Sequence, residues 1–227
     1  EATQLNQLNE LVIDPMCDEI VTSLETRFGD FAMKNCNLSV GTPGQAIDAW
    51  GDVAKVCAMA QSMGFPSGEK TLLVNPFSQV ALSEVQRSIG TADGLVNPAF
   101  KDAVINSNFA GMRVMTSDSL TAFTSGTSTD RVAAIVGTPN ATYVTAKDTM
   151  TQSISLNGLT NSTTIKAGEV IEVTGKYYLN QSTRIAIMNG ATPVKWRGVV
   201  TADVAVSGSG TATIVVAGPA IKEATEQ

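Results

Sequence analysis

Near "TSGTSTD", Thr124–Asp130, the apolar residues of this 227-residue chain change their period. No single kind of secondary structure suits both sides of that change. Before it, apolar positions recur every three or four residues, the spacing of one helix face. After it, helical periodicity disappears. Short alternating runs follow, separated by Gly, Asn and Ser: "RVAAIV", "ATYVTA", "TQSISL", "EVIEVTG", "TRIAIMN", "VVTADVAV" and "TATIVVAG". Alternation fits a pleated strand, and several short strands at this spacing predict a small antiparallel barrel or sandwich. We therefore expect an α+β chain with a boundary at about residue 126. Residues 1–126 form a helical and mixed part, and 127–227 an all-β part.

Charge divides at the same place. The first 126 residues carry 7 Lys/Arg against 14 Asp/Glu, and the remainder 8 against 7. Neither part is a basic footprint for nucleic acid. The asymmetry predicts two units of different character. At 43% hydrophobic and 16% charged, the chain can bury a sizeable core. No apolar run approaches the length of a membrane span. The chain opens on Glu1, with no initiator Met and no secretory signal, so we expect an internal piece of a longer protein.

The opening segment predicts a helix over Thr3–Asn35. Leu5, Leu8, Val12, Met16, Ile20, Leu24, Phe28 and Phe31 follow one another at three- or four-residue steps. Continuous, it would be about 50 Å long at ~1.5 Å per residue. Pro15 lacks an N–H and presses on the preceding turn, so it either kinks this helix or starts a second one. In the second case Asp14 is the natural N-cap. The loop Asn37–Gln45 precedes a helix over Ala46–Met63, with Ile47, Trp50, Val53, Ala54, Val56 and Cys57 clustered on its apolar side. Gly64 stops it. Thr71–Val74 then reads as a strand and Pro76 to about Ser88 as a helix, with Asn75 as its cap. A short helix at Pro98–Ile105 repeats the device with Asn97. Gly111–Asp118 reads as a further strand.

Candidate chemistry is thin. The chain has no histidine, which removes Ser-His-Asp and Cys-His arrangements and every His-containing metal site. Cys17, Cys36 and Cys57 form no C-x-x-C pair and predict free buried thiols in a reducing compartment. The strand–turn–helix junction at Asn75-Pro76 has the shape of a nucleophile or phosphate turn. It lacks the glycines of either motif, and Ser78 has no histidine base, so a helix start is the stronger reading. Asp14, Asp18 and Glu19, or Asp48 and Asp52, are candidates for paired acid–base work or cation binding, but acidic helix faces are usually solvated. "VSGSGT", Val206–Thr211, reads as a hairpin before it reads as a phosphate loop. Tyr177, Tyr178 and Trp196 are either core aromatics or an exposed ligand platform. Asn140, Asn161 and Asn180 open glycosylation triplets of a kind common by chance in Thr-rich chains. We expect no catalytic, cofactor-binding or metal-binding residues.

Order adds what single motifs lack. "LNQLNELVIDPMCDEIVTSLETRFGDFAMKN" is followed by "AIDAWGDVAKVCAMAQSMGFP", "TLLVNPFSQVALSEVQRS" and "NSNFAGMRVMTSDSLTAFTSG", then by the β-rich part with "IKAGEVIEVTGKYYLNQST" and "GVVTADVAVSGSGTATIVVAGPAI". This succession resembles the major coat proteins of tailed phages with the HK-97 fold. It is most similar to the short-tailed branch of Salmonella and Shigella phages, whose coat protein carries an Ig-like insertion domain. The resemblance covers nearly the whole chain. It implies that 3–35 is the spine helix, 37–126 supplies axial-domain elements and 127–227 is the insertion. It also implies a structural, non-enzymatic role in the virion capsid, assembled in the bacterial cytoplasm. The partners would be further copies of itself in hexamers and pentamers, scaffolding and portal proteins, and packaged DNA held without sequence-specific contact. No membrane is involved in that reading. The competing reading is an Ig-like module of a tail or adhesin that binds a glycan or protein through the three aromatics.

Overall fold

The computed structural model describes residues 8–42, 44–89, 105, 108–120, 122–141 and 151–218. Helix and sheet are both present, as the α+β expectation requires. The opening helix does not break at Pro15. A π-helical turn, Asn9–Ile13, runs straight into helix α1, Asp14–Asn35, and the Asp14 N–H donates to the carbonyl of Asn9. Asp14 therefore stands inside helical backbone (φ −62°, ψ −49°) and not at the expected cap. The wider turn opens the backbone where the Pro15 ring would otherwise press on the carbonyl four residues back.

Helix α2 spans Trp50–Met63, shorter than expected because Ala49 is extended (φ −126°, ψ 148°). Its C-terminus follows the sequence signal closely. Gly64 adopts the left-handed conformation (φ 90°), its N–H meets the Gln61 carbonyl at 3.0 Å, and the Phe65 N–H meets that of Ala60 at 3.2 Å. This is the Schellman arrangement, which glycine adopts without a Cβ penalty. Strand β1, Thr71–Val74, has the expected limits. Helix α3, Pro76–Ile89, starts under Asn75, whose Oδ1 accepts the Phe77 N–H at 2.9 Å. A cap of this kind contributes about 1 kcal/mol. Strand β2, Arg113–Thr116, pairs with β1 in parallel, Thr71 opposite Arg113. The expected helix at Pro98–Ile105, with its cap Asn97, lies outside the described residues except for Ile105, which is buried.

The β-rich part holds β3 (Ala134–Ala141), β4 (Thr151–Asn157), β5 (Thr164–Ile165), β6 (Val170–Tyr177), β7 (Met188–Asn189), β8 (Thr192–Pro193), β9 (Lys195–Val200), β10 (Val204–Ala205) and β11 (Ala212–Ala217). Five of them form one antiparallel sheet in the order β3-β4-β11-β9-β6. Among the described residues this sheet keeps β3 and β6 as edges and does not close on itself. β5 pairs with β10, and β7 with β8. Most of "ATYVTA" lies outside the described residues. "TRIAIMN" yields only the two residues of β7. Its start is bent by Asn180, whose Oδ1 accepts the N–H groups of Ser182 (2.9 Å) and Thr183 (3.0 Å), and Arg184 follows with φ 59°. An Asn side chain that bonds its own downstream backbone stabilises a turn against a strand.

Two apolar clusters result. One gathers Ile154, Tyr178, Trp196, Val200, Ile214 and Val216 from the β-rich part. The other gathers Val53, Cys57, Val74, Leu82, Phe109 and Met112. Helix α2 belongs to both, because Met59 and Met63, on its last turns, enter the first cluster. Of the apolar side expected for this helix, Val53 and Cys57 are buried, Ile47 and Val56 pack from the rim, and Trp50 is exposed.

Candidate interaction surface

The acidic groups singled out in the sequence do not converge. Asp14, Asp18, Glu19 and Asp48 are exposed on the helical part, and Asp52 meets Lys55 at 3.4 Å. Among the described residues no group of three or more His, Cys, Asp or Glu side chains could hold a metal ion. Ser78 sits half-buried on the first turn of α3, and the Asn75 amide before it is committed to capping. "VSGSGT" forms a tight turn between β10 and β11, closed by Ser207 N–H on the Thr211 carbonyl at 2.9 Å. Asn180 is committed too, since its Nδ2 donates to the Ser62 carbonyl at 2.7 Å.

The aromatic platform is not formed. Trp196 and Tyr178 are 4% and 2% exposed in the first cluster, and only Tyr177, at 43%, reaches solvent. β6 ends at Tyr177, and Tyr178, the first residue past it, turns its side chain into the first cluster. The Tyr178 hydroxyl lies 2.8 Å from the carbonyl of Asn37 and 2.7 Å from that of Arg197, and so ties the loop after α1 to β9. Arg197 adds a second tie, donating from Nη1 to the Gly41 carbonyl at 2.8 Å. Burial pushes the Tyr178 phenol above its ordinary value. A raised folded-state value means this group's stabilisation is complete below pH about 10 and is lost as pH climbs through the folded-state value. Alkaline titration should therefore show late tyrosinate absorbance from Tyr178 together with falling stability. A Tyr178→Phe variant with the same alkaline stability profile would refute this. On the opposite side of charge, the Lys195 ammonium at 2.7 Å, helped by Arg197, holds the exposed Glu172 carboxyl below the usual carboxylate range.

The thiols also depart from expectation. Only Cys57 is buried; Cys17 and Cys36 are exposed, because α1 and its C-terminal cap have little covering them. The same is true of the apolar stripe on α1, where no residue is buried. Leu8, Val12, Met16, Ile20, Leu24 and Phe28 fall four apart, and Leu24 and Phe28 are 67% and 70% exposed. A row at i, i+4 is a ridge inclined to the helix axis, the form in which a helix packs against another surface. A second uncovered apolar face lies on the β1–β2 pair, where Leu73 and Met115 stand side by side and exposed, with Leu72, Val74 and Val114 turned into the second cluster. Parallel strands are ordinarily covered on both faces. Sequence periodicity locates the α1 stripe, but it cannot say that nothing else in these residues covers it.

A chain whose most extensive unsatisfied feature is apolar surface, not a cleft, calls for comparison with proteins that assemble. The family described as P22 coat protein, gene protein 5, matches residues 1–227. The major capsid protein of Acyrthosiphon pisum secondary endosymbiont phage 1 is 33% identical over 220 residues, which cover 96% of this chain and 52% of that protein. The chain thus spans about half the length of that relative. On the strength of these matches, the chain belongs to the P22 coat protein family.

Proposed function

We propose that this chain is the part of a tailed-phage or prophage major capsid protein that carries the spine and the inserted β unit. In this reading α1 is the spine helix of an HK-97 core, 37–126 contribute to its axial domain, and 127–227 are the Ig-like insertion. Full-length subunits self-assemble into hexamers and pentamers of an icosahedral shell around DNA, with scaffolding and portal proteins as partners, and the role is structural. The observation that carries the proposal is the uncovered apolar ridge of α1 in a member of a coat-protein family. Leaving several large apolar side chains in water forgoes about 1.5–3 kcal/mol each, so a helix like this one is built to be covered. The half-covered β1–β2 pair supports the same reading. No helix among the described residues is long and apolar enough to cross a membrane, so the ridge is not read as a lipid-facing span.

The binding-module reading loses its main support with Tyr178 and Trp196 buried. The test is assembly. Full-length protein, coexpressed with its scaffolding protein, should give closed shells in electron micrographs, and the 227-residue chain alone should not. Small monodisperse particles from the full-length protein under those conditions would overturn the proposal.

A further inference from the structure

Residues 126–131 lead into the β-rich part without joining any sheet. They lie along 160–169 instead. The Thr127 N–H reaches Thr164 Oγ1 at 3.3 Å, and the Thr164 N–H returns to Thr127 Oγ1 at 3.1 Å. The Asp130 N–H donates to Thr160 Oγ1 at 2.9 Å. In each rung a side-chain hydroxyl stands where a strand would offer a backbone carbonyl. These rungs are exposed, so water competes for them and each is weak.

The strong contact is at one end. Glu169, only 8% exposed, lies just before β6. Its carboxylate accepts the Gly126 N–H, the Lys166 N–H at 3.2 Å and Arg131 Nη1 at 2.9 Å. Arg131 Nη2 in turn donates to the Gly126 carbonyl at 3.1 Å. The Gly126 residue is thereby gripped from both sides, its N–H by the acid and its carbonyl by the base. It also lies too close for any side chain, since a Cβ there would overlap the Thr164 carbonyl oxygen. Apolar anchoring is absent from this stretch: Val132, at its end, is 83% exposed, and the buried Ser128 turns its hydroxyl to the Asp130 carbonyl at 2.9 Å.

We propose that residues 126–131 act as a strap that opens and closes as a unit, held shut by the Glu169–Arg131 grip on Gly126, while both apolar clusters stay folded. Local opening of this kind is drawn from segments with few buried apolar contacts and exposed hydrogen bonds. The five-stranded sheet does not depend on the strap, because its strands bond one another. Six residues freed from these contacts can span at most about 20 Å. The device goes beyond the capsid reading and does not rest on it.

The test is amide hydrogen exchange on the full-length protein. Glu169→Gln should speed exchange at Gly126, Thr127 and Asp130 at least tenfold and leave the β11 amides of Ile214 and Val216 unchanged. Gly126→Ala should do the same by steric displacement. Thr164→Val, which keeps the carboxylate but removes a rung, should speed Gly126, Thr127 and Asp130 together by a few-fold. It decides the matter if the other variants do not fold, and acceleration of Thr127 alone would overturn the proposal. Unchanged strap exchange would overturn the proposal. So would strap and β11 amides accelerating together, since Glu169 would then serve the whole unit's stability. Shell formation is not read by this measurement, so its outcome is separate from that of the capsid proposal.

Discussion

Replacing Trp196 with alanine should remove about 3–5 kcal/mol of folding stability, the usual cost of deleting a buried large aromatic. The ring is almost fully enclosed, and its neighbours are shaped to it. A Cβ on Gly198 would strike both the Trp196 ring and Val216, and one on Gly218 would sit 3.2 Å from the same ring. The space is therefore a fitted one, and backbone held by the sheet on both sides of β9 cannot easily collapse into the void. Since native domains are stable by only about 5–15 kcal/mol, such a loss should bring the urea midpoint down steeply. Circular dichroism through the transition measures it. A loss under about 1 kcal/mol would mean that Trp196 is not the centre of this cluster.

Leu82→Ala is the counterpart in the second cluster. Leu82 is fully buried there with Val53 and Val74, and deletion should cost about 2–5 kcal/mol. Its distinctive readout is Cys57, the one buried thiol, which shares that cluster. In a background with Cys17 and Cys36 replaced by serine, a thiol reagent should modify Cys57 at least tenfold faster in Leu82→Ala. Tenfold corresponds to about 1.4 kcal/mol, well inside the expected loss. Equal rates would indicate that the second cluster opens without regard to Leu82.

What could be read from the chain was what its chemistry settles locally. Asn75 before Pro76 announces a cap and a first helical turn within three residues, and Gly64 announces a left-handed stop, because both depend only on neighbours. The five-strand sheet was legible as alternation, though not as an order, since β11 pairs with a strand some 60 residues earlier in the chain. The run Thr183–Asn189 misled, because alternation there competes with the Asn180 turn, whose hold is side-chain chemistry and not pattern. Asp14 misled for a related reason: a π turn satisfies the backbone ahead of Pro15 and leaves nothing to cap. Tyr177, Tyr178 and Trp196 could not be assigned to core or surface by type, and only the packing of the folded chain decides it. The α1 ridge was visible as periodicity, yet periodicity names the residues that seek cover and never the surface that supplies it.

The double membership of α2 has a consequence in time. Its first turns find partners soon, because Val74 and Leu82 follow within about 30 residues. Met63 must wait for the β-rich members of its cluster, which run from Ile154 to Val216, about 90–150 residues later. At the ~5–20 residues per second of synthesis, that is a delay of roughly 5–30 s. For that interval a finished helix carries two methionines with no core to enter, in a chain already bearing the exposed ridge of α1. Contacts of such sequence separation also slow folding after release, because loop closure comes before any gain from them. The end of α2 is thus a second place, beside the α1 ridge, where this nascent chain is open to the wrong partner.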